Sequence, residues 1–249
     1  MTADRAADPG VLLTRPAGQS EALAKTLRNL GYAPFIDPLL NIIPISKQLD
    51  SSGIQALLFT SANAVGPFCA ANAERDLPVF AVGAASAAAL RKAGFREIHT
   101  GDSDADAVTR DIIRLCDPQN GAVLHVSGET IRGNPAGILD EGGFDYRREI
   151  VYRADAATEI SPKTVAAIKD DKITAILFFS PRTGETFANL IGMAGLTEKC
   201  GGMMALCLSP AVAGSVRNLP WRTVIAAKSP QTDAMIAALK DAIPVSRGS

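Results

Sequence analysis

Histidine, cysteine and surplus charge are all scarce in this chain, and each scarcity closes off a class of function. The two histidines and four cysteines among 249 residues form no HxH, HExxH or CxxC spacing. His99 and His125 each fall inside a predicted strand, so core or rim histidines are expected and a metal site is not. Lys and Arg number 25 against 26 Asp and Glu. That balance supplies neither the basic field that attracts nucleic acid nor a polybasic segment for an anionic membrane. Neither GxGxxG nor GxxxxGK[ST] occurs, which removes the usual nucleotide-phosphate loops. No apolar run approaches the roughly eighteen residues of a membrane span, and MTADRAADPG lacks the basic-then-apolar pattern of a secretion signal. Three of Cys69, Cys116, Cys200 and Cys207 lie in apolar surroundings, as reduced core cysteines do. A cytoplasmic location is therefore expected.

What the chain does contain is ordinary core material, 47% hydrophobic and 20% charged, in a length that suits one large or two medium domains. Its most informative stretch is AILFFSPRTGETF, Ala175 to Phe187, an apolar run that breaks at a serine and turns polar. A gapless counterpart, ALLFTSANAVGPF from Ala56 to Phe68, lies 119 residues earlier and shares Ala56/Ala175, Leu58/Leu177, Phe59/Phe178, Ser61/Ser180 and Phe68/Phe187. A continuous apolar run suits a parallel strand buried on both faces, and a small polar residue at its end suits a helix cap. The open amides of the following helix can then hold anions beside neighbouring strand ends.

Strands and helices alternate from end to end. VLLTRP (Val11 to Pro16) reads as a strand, followed by a helix with Leu23, Leu27 and Leu30 on one face and Gly31 as its stop. Pro34, Pro38 and Pro44 keep the next extended segment out of a central sheet position, so it reads as an edge or crossing strand. From Ile54 onward come strands at Ile54–Thr60, Pro78–Gly83, Arg96–Gly101 and Ala122–Gly128, each followed by a helical run. The helix of DADAVTRDIIRLC places Val108, Ile112 and Leu115 on one face. A weaker helix, residues 136–141, precedes the extended FDYRREIVYRADA. ITAILFFS, MMALCLSP and RTVIAAKSP then continue the alternation, which implies an α/β fold with parallel sheets.

The repeat extends through three βα units: FAVGAASAAALRKAGF resembles LCLSPAVAGSVRNLPW, and IHTGDSDADAVTRDII resembles IAAKSPQTDAMIAALK. A fourth match is displaced, because VLHVSG and FDYRREIVY correspond to VLLTRP and YAPFIDPLL at the other end of the chain. One domain is thus circularly shifted against the other. The simplest arrangement joins residues 1–37 to 155–249 as a discontinuous domain, with residues 40–153 inserted. The crossing segments 34–45 and 144–155 are then expected to form a two-stranded antiparallel hinge; one wide sheet is the competing arrangement.

A set of strand-end corners emerges: Thr14, Arg15 and Pro16; Ser61 and Ala62; Gly83 and Ala84; Gly101, Asp102 and Ser103; Ser127 and Gly128; Ser180, Pro181 and Arg182; Ser209, Ala211 and Val212; and Ser229. Together they offer dispersed donors for a polycarboxylate. Ser61, Ser180, Ser209 and Ser229 also suit plain helix capping, and Arg15 and Arg182 also suit solvated surface positions.

In order and spacing, the opening VLLTRPAGQSEALAKTLRNLGY, LLFTSANAV, PVFAVGAASAAALRKAGF, VLHVSG, IVYR, AILFFSPRTGETF and KSPQTDAM resemble the uroporphyrinogen-III synthase family over residues 11 to 243. The resemblance implies two flavodoxin-like domains joined by a two-stranded ladder. It also implies a cofactor-free, metal-free monomeric enzyme that closes hydroxymethylbilane to uroporphyrinogen III in the cleft between them, with loss of water and inversion of ring D. Hand-over of the substrate by hydroxymethylbilane synthase goes with it. Tyr152 matches the family's tyrosine in the crossing segment, where a phenol can assist the departing hydroxyl; packing as a hinge aromatic is its other role. CLSPAVAGSV departs from the family, since Ala211 and Val212 carry no hydroxyl. A two-lobed, non-catalytic binding or regulatory protein for an anionic small molecule such as a tetrapyrrole is the competing class.

Overall fold

Apolar runs of four to seven residues become most of the strands, and the charged, eleven-residue YRREIVYRADA another, in the computed structural model, which describes residues 8–45, 48–101 and 104–245. In chain order the elements are β1 (Gly10–Leu13), α1 (Ala17–Asn29), β2 (Ala33–Ile36), β3 (Leu40–Pro44), β4 (Ile54–Phe59), α2 (Val65–Ala71), β5 (Val79–Val82), α3 (Gly83–Lys92), β6 (Ile98–Gly101) and α4 (Ala105–Leu115). They continue with β7 (Ala122–Gly128), α5 (Pro135–Glu141), β8 (Tyr146–Ala156), α6 (Pro162–Lys169), β9 (Ile173–Phe178), α7 (Pro181–Met193), β10 (Met204–Cys207), α8 (Pro210–Val216), β11 (Thr223–Ala226) and α9 (Thr232–Ala242). The helix α6 escapes the sequence reading, although Ser161 caps it through the Thr164 amide and Pro162 sits at its first turn.

Two compact units result, Met1–Asn41 with Asp155–Ser249, and Ile42–Ala154. In the first, a parallel sheet runs β11-β10-β9-β1-β2. In chain order this is 2-1-3-4-5, the flavodoxin-like order. In the second, the order is β3-β8-β7-β4-β5-β6, with β8 to β6 parallel. Counted from β7 as first strand and β8 as second, it is the same 2-1-3-4-5 order with the chain cut elsewhere. At its edge, Ile45 N donates to Val151 O (2.8 Å) and Ala157 N to Leu39 O (3.0 Å). Partners that approach from opposite chain directions make β3 and β8 antiparallel.

The repeat is physical down to its irregularities. β4 and β9 share one burial pattern. Each slips by one residue against its neighbour at the equivalent place, between Ile54 and Ala56 and between Ile173 and Ala175. The slipped residues both bond back to backbone, Gln55 to Asp117 O and Gly121 O, and Thr174 to Gly10 O. Phe59 meets Phe68 edge-on at 5.5 Å, and Phe178 meets Phe187 edge-on at 5.4 Å. Such pairs add about 0.5–1.5 kcal/mol beyond area burial, enough to keep both members in each copy.

Both faces of each sheet are covered. In the first unit Leu12, Ile176, Phe178 and Ala205 pack with α6, α7 and α8, while Val11, Leu13, Leu177 and Leu206 pack with α1 and α9. In the second, Leu57, Phe59, Leu124 and Val126 face α2 and α3, and Ala56, Leu58, Phe80 and Val123 face α4 and α5. Three local expectations are corrected. β1 ends at Leu13, because Thr14 turns its hydroxyl to Leu177 O (2.9 Å) and begins the corner. The helical run after β4 opens as a 3-10 turn, Ala62–Ala64, before α2 begins at Val65. Leu115 is 60% exposed, since it lies in the final turn of α4 beyond the buried Val108 and Ile112.

One difference between the copies is chemical. His125 is fully buried, with Nε2 2.9 Å from Thr60 Oγ1 and Nδ1 2.8 Å from the Tyr146 hydroxyl. The equivalent positions in the first unit, at the offsets of 119 and 112 residues, are Leu13, Phe179 and Pro34. Burial and, secondarily, the charge of Arg148 lower the His125 pKa from 6.5 to about 4. The unfolded chain therefore takes up this proton at a higher pH than the folded one. Stability contributed by the neutral imidazole is complete above pH 6.5 and is lost as pH falls towards 4, by about 3 kcal/mol. Denaturant titrations at pH 7 and pH 4 check this. The apolar triple variant His125→Leu, Thr60→Val, Tyr146→Phe is expected to lose about 3 kcal/mol less than the wild type over that interval; equal losses would refute the assignment.

Candidate functional site

In the first unit the carboxyl ends of β1, β9, β10 and β11 lie along one edge of a parallel sheet. Arg15 follows β1 and is half-buried. Its Nε and Nη2 donate to Gln19 Oε1 (3.0 and 2.6 Å), and its Cζ lies 4.2 Å from the centroid of the Phe179 ring. Burial lowers its pKa. Its partners are a neutral amide and an aromatic face, so the guanidinium charge is not cancelled. Ser180 caps α7 by accepting from Thr183 N (3.2 Å); Pro181 occupies the first helical position, and Arg182 is exposed in the first turn.

Ser209 caps α8 in the same way through Val212 N (3.4 Å). This removes Val212 from the candidate donors, because its amide is engaged and its side chain is buried in the core. Ala211, exposed beside it, keeps a first-turn amide that has no intrahelical acceptor. Ser229 is not a cap: the cap of α9 is Gln231, whose amide donates to Ser229 O (2.8 Å). The Ser229 hydroxyl has no hydrogen-bond partner among the described residues.

The second unit repeats the arrangement with different chemistry. Ser61 caps the 3-10 turn through Asn63 N (3.2 Å), with Ala62 half-buried in its first position. Gly83 stands where the other unit has Ser209, opens α3 at φ +76°, and leaves that helix without a side-chain cap. A glycine is required there because L side chains are strained at such a φ. Ser103 and Asp102 lie outside the described residues. Ser127 is buried, and its hydroxyl accepts from Arg148 Nε (2.9 Å), so it holds an arginine instead of facing outward.

Tyr152 pairs with Gly128 across the β7–β8 ladder, just past a register shift. A Cβ on Gly128 would lie 2.5 Å from Tyr152 Cζ and 2.9 Å from its hydroxyl, so the ring rests directly on the glycine. Tyr152 is 8% exposed, and its hydroxyl makes no hydrogen bond among the described residues. Since no side-chain oxygen among them is both buried and unsatisfied, the exposed part of this residue includes the hydroxyl. The ring belongs to the core and the phenol oxygen reaches solvent.

Sequence reasoning missed Arg148, which looks like an ordinary surface charge in FDYRREIVY until β8 is registered against β7. The two histidines fall where expected. His125 is core, and His99 is a rim residue stacked on Phe80 at 4.7 Å. Among the described residues no group of three His, Cys, Asp or Glu could hold a metal, and no helix is long and apolar enough to cross a membrane.

Two mostly parallel sheets of flavodoxin-like order, each ending in helix N termini and a guanidinium with neutral partners, define a double α/β protein. Within that class the chain belongs to the family of uroporphyrinogen-III synthase HemD, whose model matches residues 21–237. Its fold is similar to that of uroporphyrinogen-III synthetase from Helicobacter pylori 26695, with a TM-score of 0.65 at 17% identity, covering 94% of this chain and 100% of the other. A mutant uroporphyrinogen III synthase from the extremely thermophilic bacterium Thermus thermophilus aligns with a TM-score of 0.52 at 18% identity, over 94% and 98% of the two chains. No curated protein matches by sequence.

The Gly128–Tyr152 contact is testable through packing. Gly128→Ala forces the ring off its seat and is expected to lower stability by about 1–3 kcal/mol, as overpacking does. Thermal unfolding of the purified variant measures this, and an unchanged midpoint would mean that the ring moves aside freely.

Proposed function

We propose that this protein closes hydroxymethylbilane to uroporphyrinogen III, with loss of water and inversion of ring D. The observation that carries the reading is family membership across residues 21–237, from α1 to the middle of α9. The geometry supports it in two ways. The substrate is a large flat body with many carboxylates, and the strand-end corners of both units offer scattered anion donors suited to it. Arg15, Arg182, the Ala211 amide and the Ser229 hydroxyl belong to one unit, and the Ser61 turn and the uncapped start of α3 at Gly83 belong to the other. Tyr152 then presents a phenol whose ring is fixed by Gly128 and whose hydroxyl is not engaged elsewhere.

The reaction needs the substrate hydroxyl to leave as water. Tyr152 assists by donating a hydrogen bond from its phenol to the departing oxygen. Positioned amides and arginines hold the carboxylates while the terminal ring reorients, which is a task of placement more than of acid strength. Segments 34–45 and 144–155 serve as the hinge in this reading. The free cysteines, two of them buried, suit a reducing cytoplasm. A monomer that takes its substrate directly from hydroxymethylbilane synthase completes the proposal.

Freshly made hydroxymethylbilane closes spontaneously to isomer I, so oxidation and separation of the uroporphyrin isomers reads out the activity. Isomer III is expected to dominate, with chelator and added nucleotide having no effect. A ratio left at the spontaneous value by folded protein would replace the enzyme by a tetrapyrrole-binding protein. Tyr152→Phe keeps the ring on Gly128 and deletes only the hydroxyl. Turnover is expected to fall roughly 10- to 100-fold, about 1.4–2.8 kcal/mol of transition-state stabilisation. An unchanged rate would return Tyr152 to a packing role.

A further inference from the structure

The two units deliver a guanidinium to equivalent corners from different strands. In the first, Arg15 follows β1, and on β2 Ile36 is the ladder partner of Leu13. At the offset of 112 residues, Arg15 corresponds to Ser127 and Ile36 to Arg148, which is the ladder partner of His125 on β8. The arginine has moved one strand over. It then reaches back: Nε donates to Ser127 Oγ (2.9 Å), and Nη2 donates to Gly128 O and Glu129 O (2.7 Å each). These acceptors bring the guanidinium to the carboxyl end of β7, beside the glycine on which Tyr152 rests.

All three acceptors are neutral. Among the described residues no acidic side chain pairs with Arg148, and its Nη1 donates to nothing. A half-buried guanidinium held only by a hydroxyl and two carbonyls has fixed orientation and an uncancelled charge. Arg15 is in the same condition, steadied by Gln19 and Phe179. A structural clasp needs no such symmetry, since the equivalent loop of the first unit has no arginine donated from β2.

Resting on the synthase reading, we infer that Arg148 binds a carboxylate of the substrate and is the second unit's counterpart of Arg15. Ser127 and the Gly128 and Glu129 carbonyls act as its positioning groups, and Nη1 with the outer edge of the guanidinium is the binding face.

The test uses the full chain, uroporphyrin III as a stable polycarboxylate probe, and the variants Arg148→Gln and Arg148→Lys. Fluorescence titration over a range of salt concentrations gives affinity, thermal unfolding reports folding, and the isomer ratio is measured in parallel. Arg148→Gln is expected to weaken uroporphyrin binding roughly 10- to 100-fold, to raise KM more than it lowers kcat, and to reduce the salt sensitivity of binding. Arg148→Lys, which keeps the charge but cannot span the three acceptors, should recover most of the affinity. Wild-type affinity and salt sensitivity in folded Arg148→Gln would overturn the assignment. So would a lysine variant that binds no better than the glutamine variant or, if the latter does not fold, one more than about 10-fold weaker than the wild type. The synthase reading fails separately: a wild type that leaves the isomer ratio at its spontaneous value while binding uroporphyrin through Arg148 loses the activity and keeps the site.

Discussion

Parallel strands buried on both faces cannot carry polar side chains along their length without satisfying them, so chemistry is pushed to the carboxyl ends, where the apolar run stops. That constraint organises both units. β4 and β9 run Ile-x-Ala-x-Leu-Phe without a charged residue, and the first capping hydroxyl appears two residues after each strand, at Ser61 and Ser180. Because the five parallel strands of each sheet point the same way, their corners collect along a single edge. Anion donors thus accumulate there without a basic composition, which explains how a chain of net charge −1 can suit a polyanion.

Satisfying the caps costs donors. Ser61, Ser180 and Ser209 each accept an amide of their own helix, which removes Asn63, Thr183 and Val212 from any ligand. What remains is the amide one position earlier and, where proline occupies the first position, one donor fewer. Gly83 follows the opposite course: its positive φ starts α3 with no side-chain acceptor, so the first-turn amides stay open. The equivalent positions Gly83 and Ser209 therefore trade helix stability, about 1 kcal/mol for a cap, against the number of free donors.

How much of this is legible from sequence follows from the range of the interactions. Alternation and the 119-residue repeat are local patterns, and they carry the α/β class, the parallel sheets and the shifted strand order. The capping serines are legible for the same reason, since a cap and its helix are adjacent in the chain. Ser229 is misread because KSPQTDAM offers several polar residues before the helix, and backbone geometry selects Gln231. Ser127 and Val212 read as corner donors like the rest, but Ser127 accepts from Arg148 and Val212 packs in the core, because burial depends on what packs opposite. Arg148 is invisible for a related reason: its partners Ser127, Gly128 and Glu129 lie about twenty residues away, and only the β7–β8 register brings them to it.

The same register explains why the polar trio of Thr60, His125 and Tyr146 occurs in one unit only. The other copy carries an all-apolar set at the equivalent positions, Phe179, Leu13 and Pro34. Buried polar groups are seldom more stable than well-packed apolar ones, so stability alone does not account for the trio. Arg148 supplies a physical reason. Arg148 is the ladder neighbour of His125, and its charge is felt by both the imidazole and the Tyr146 phenol. Leucine and proline at those places would leave that charge against hydrocarbon, whereas a neutral imidazole and two hydroxyls surround it with orientable dipoles. In the first unit the arginine sits beyond the strand end, over an aromatic face, and the core beneath it can stay apolar. Supplying the corner guanidinium from the adjacent strand runs its side chain over the core, so a polar layer is needed beneath it, and that links the buried trio to the corner it supports.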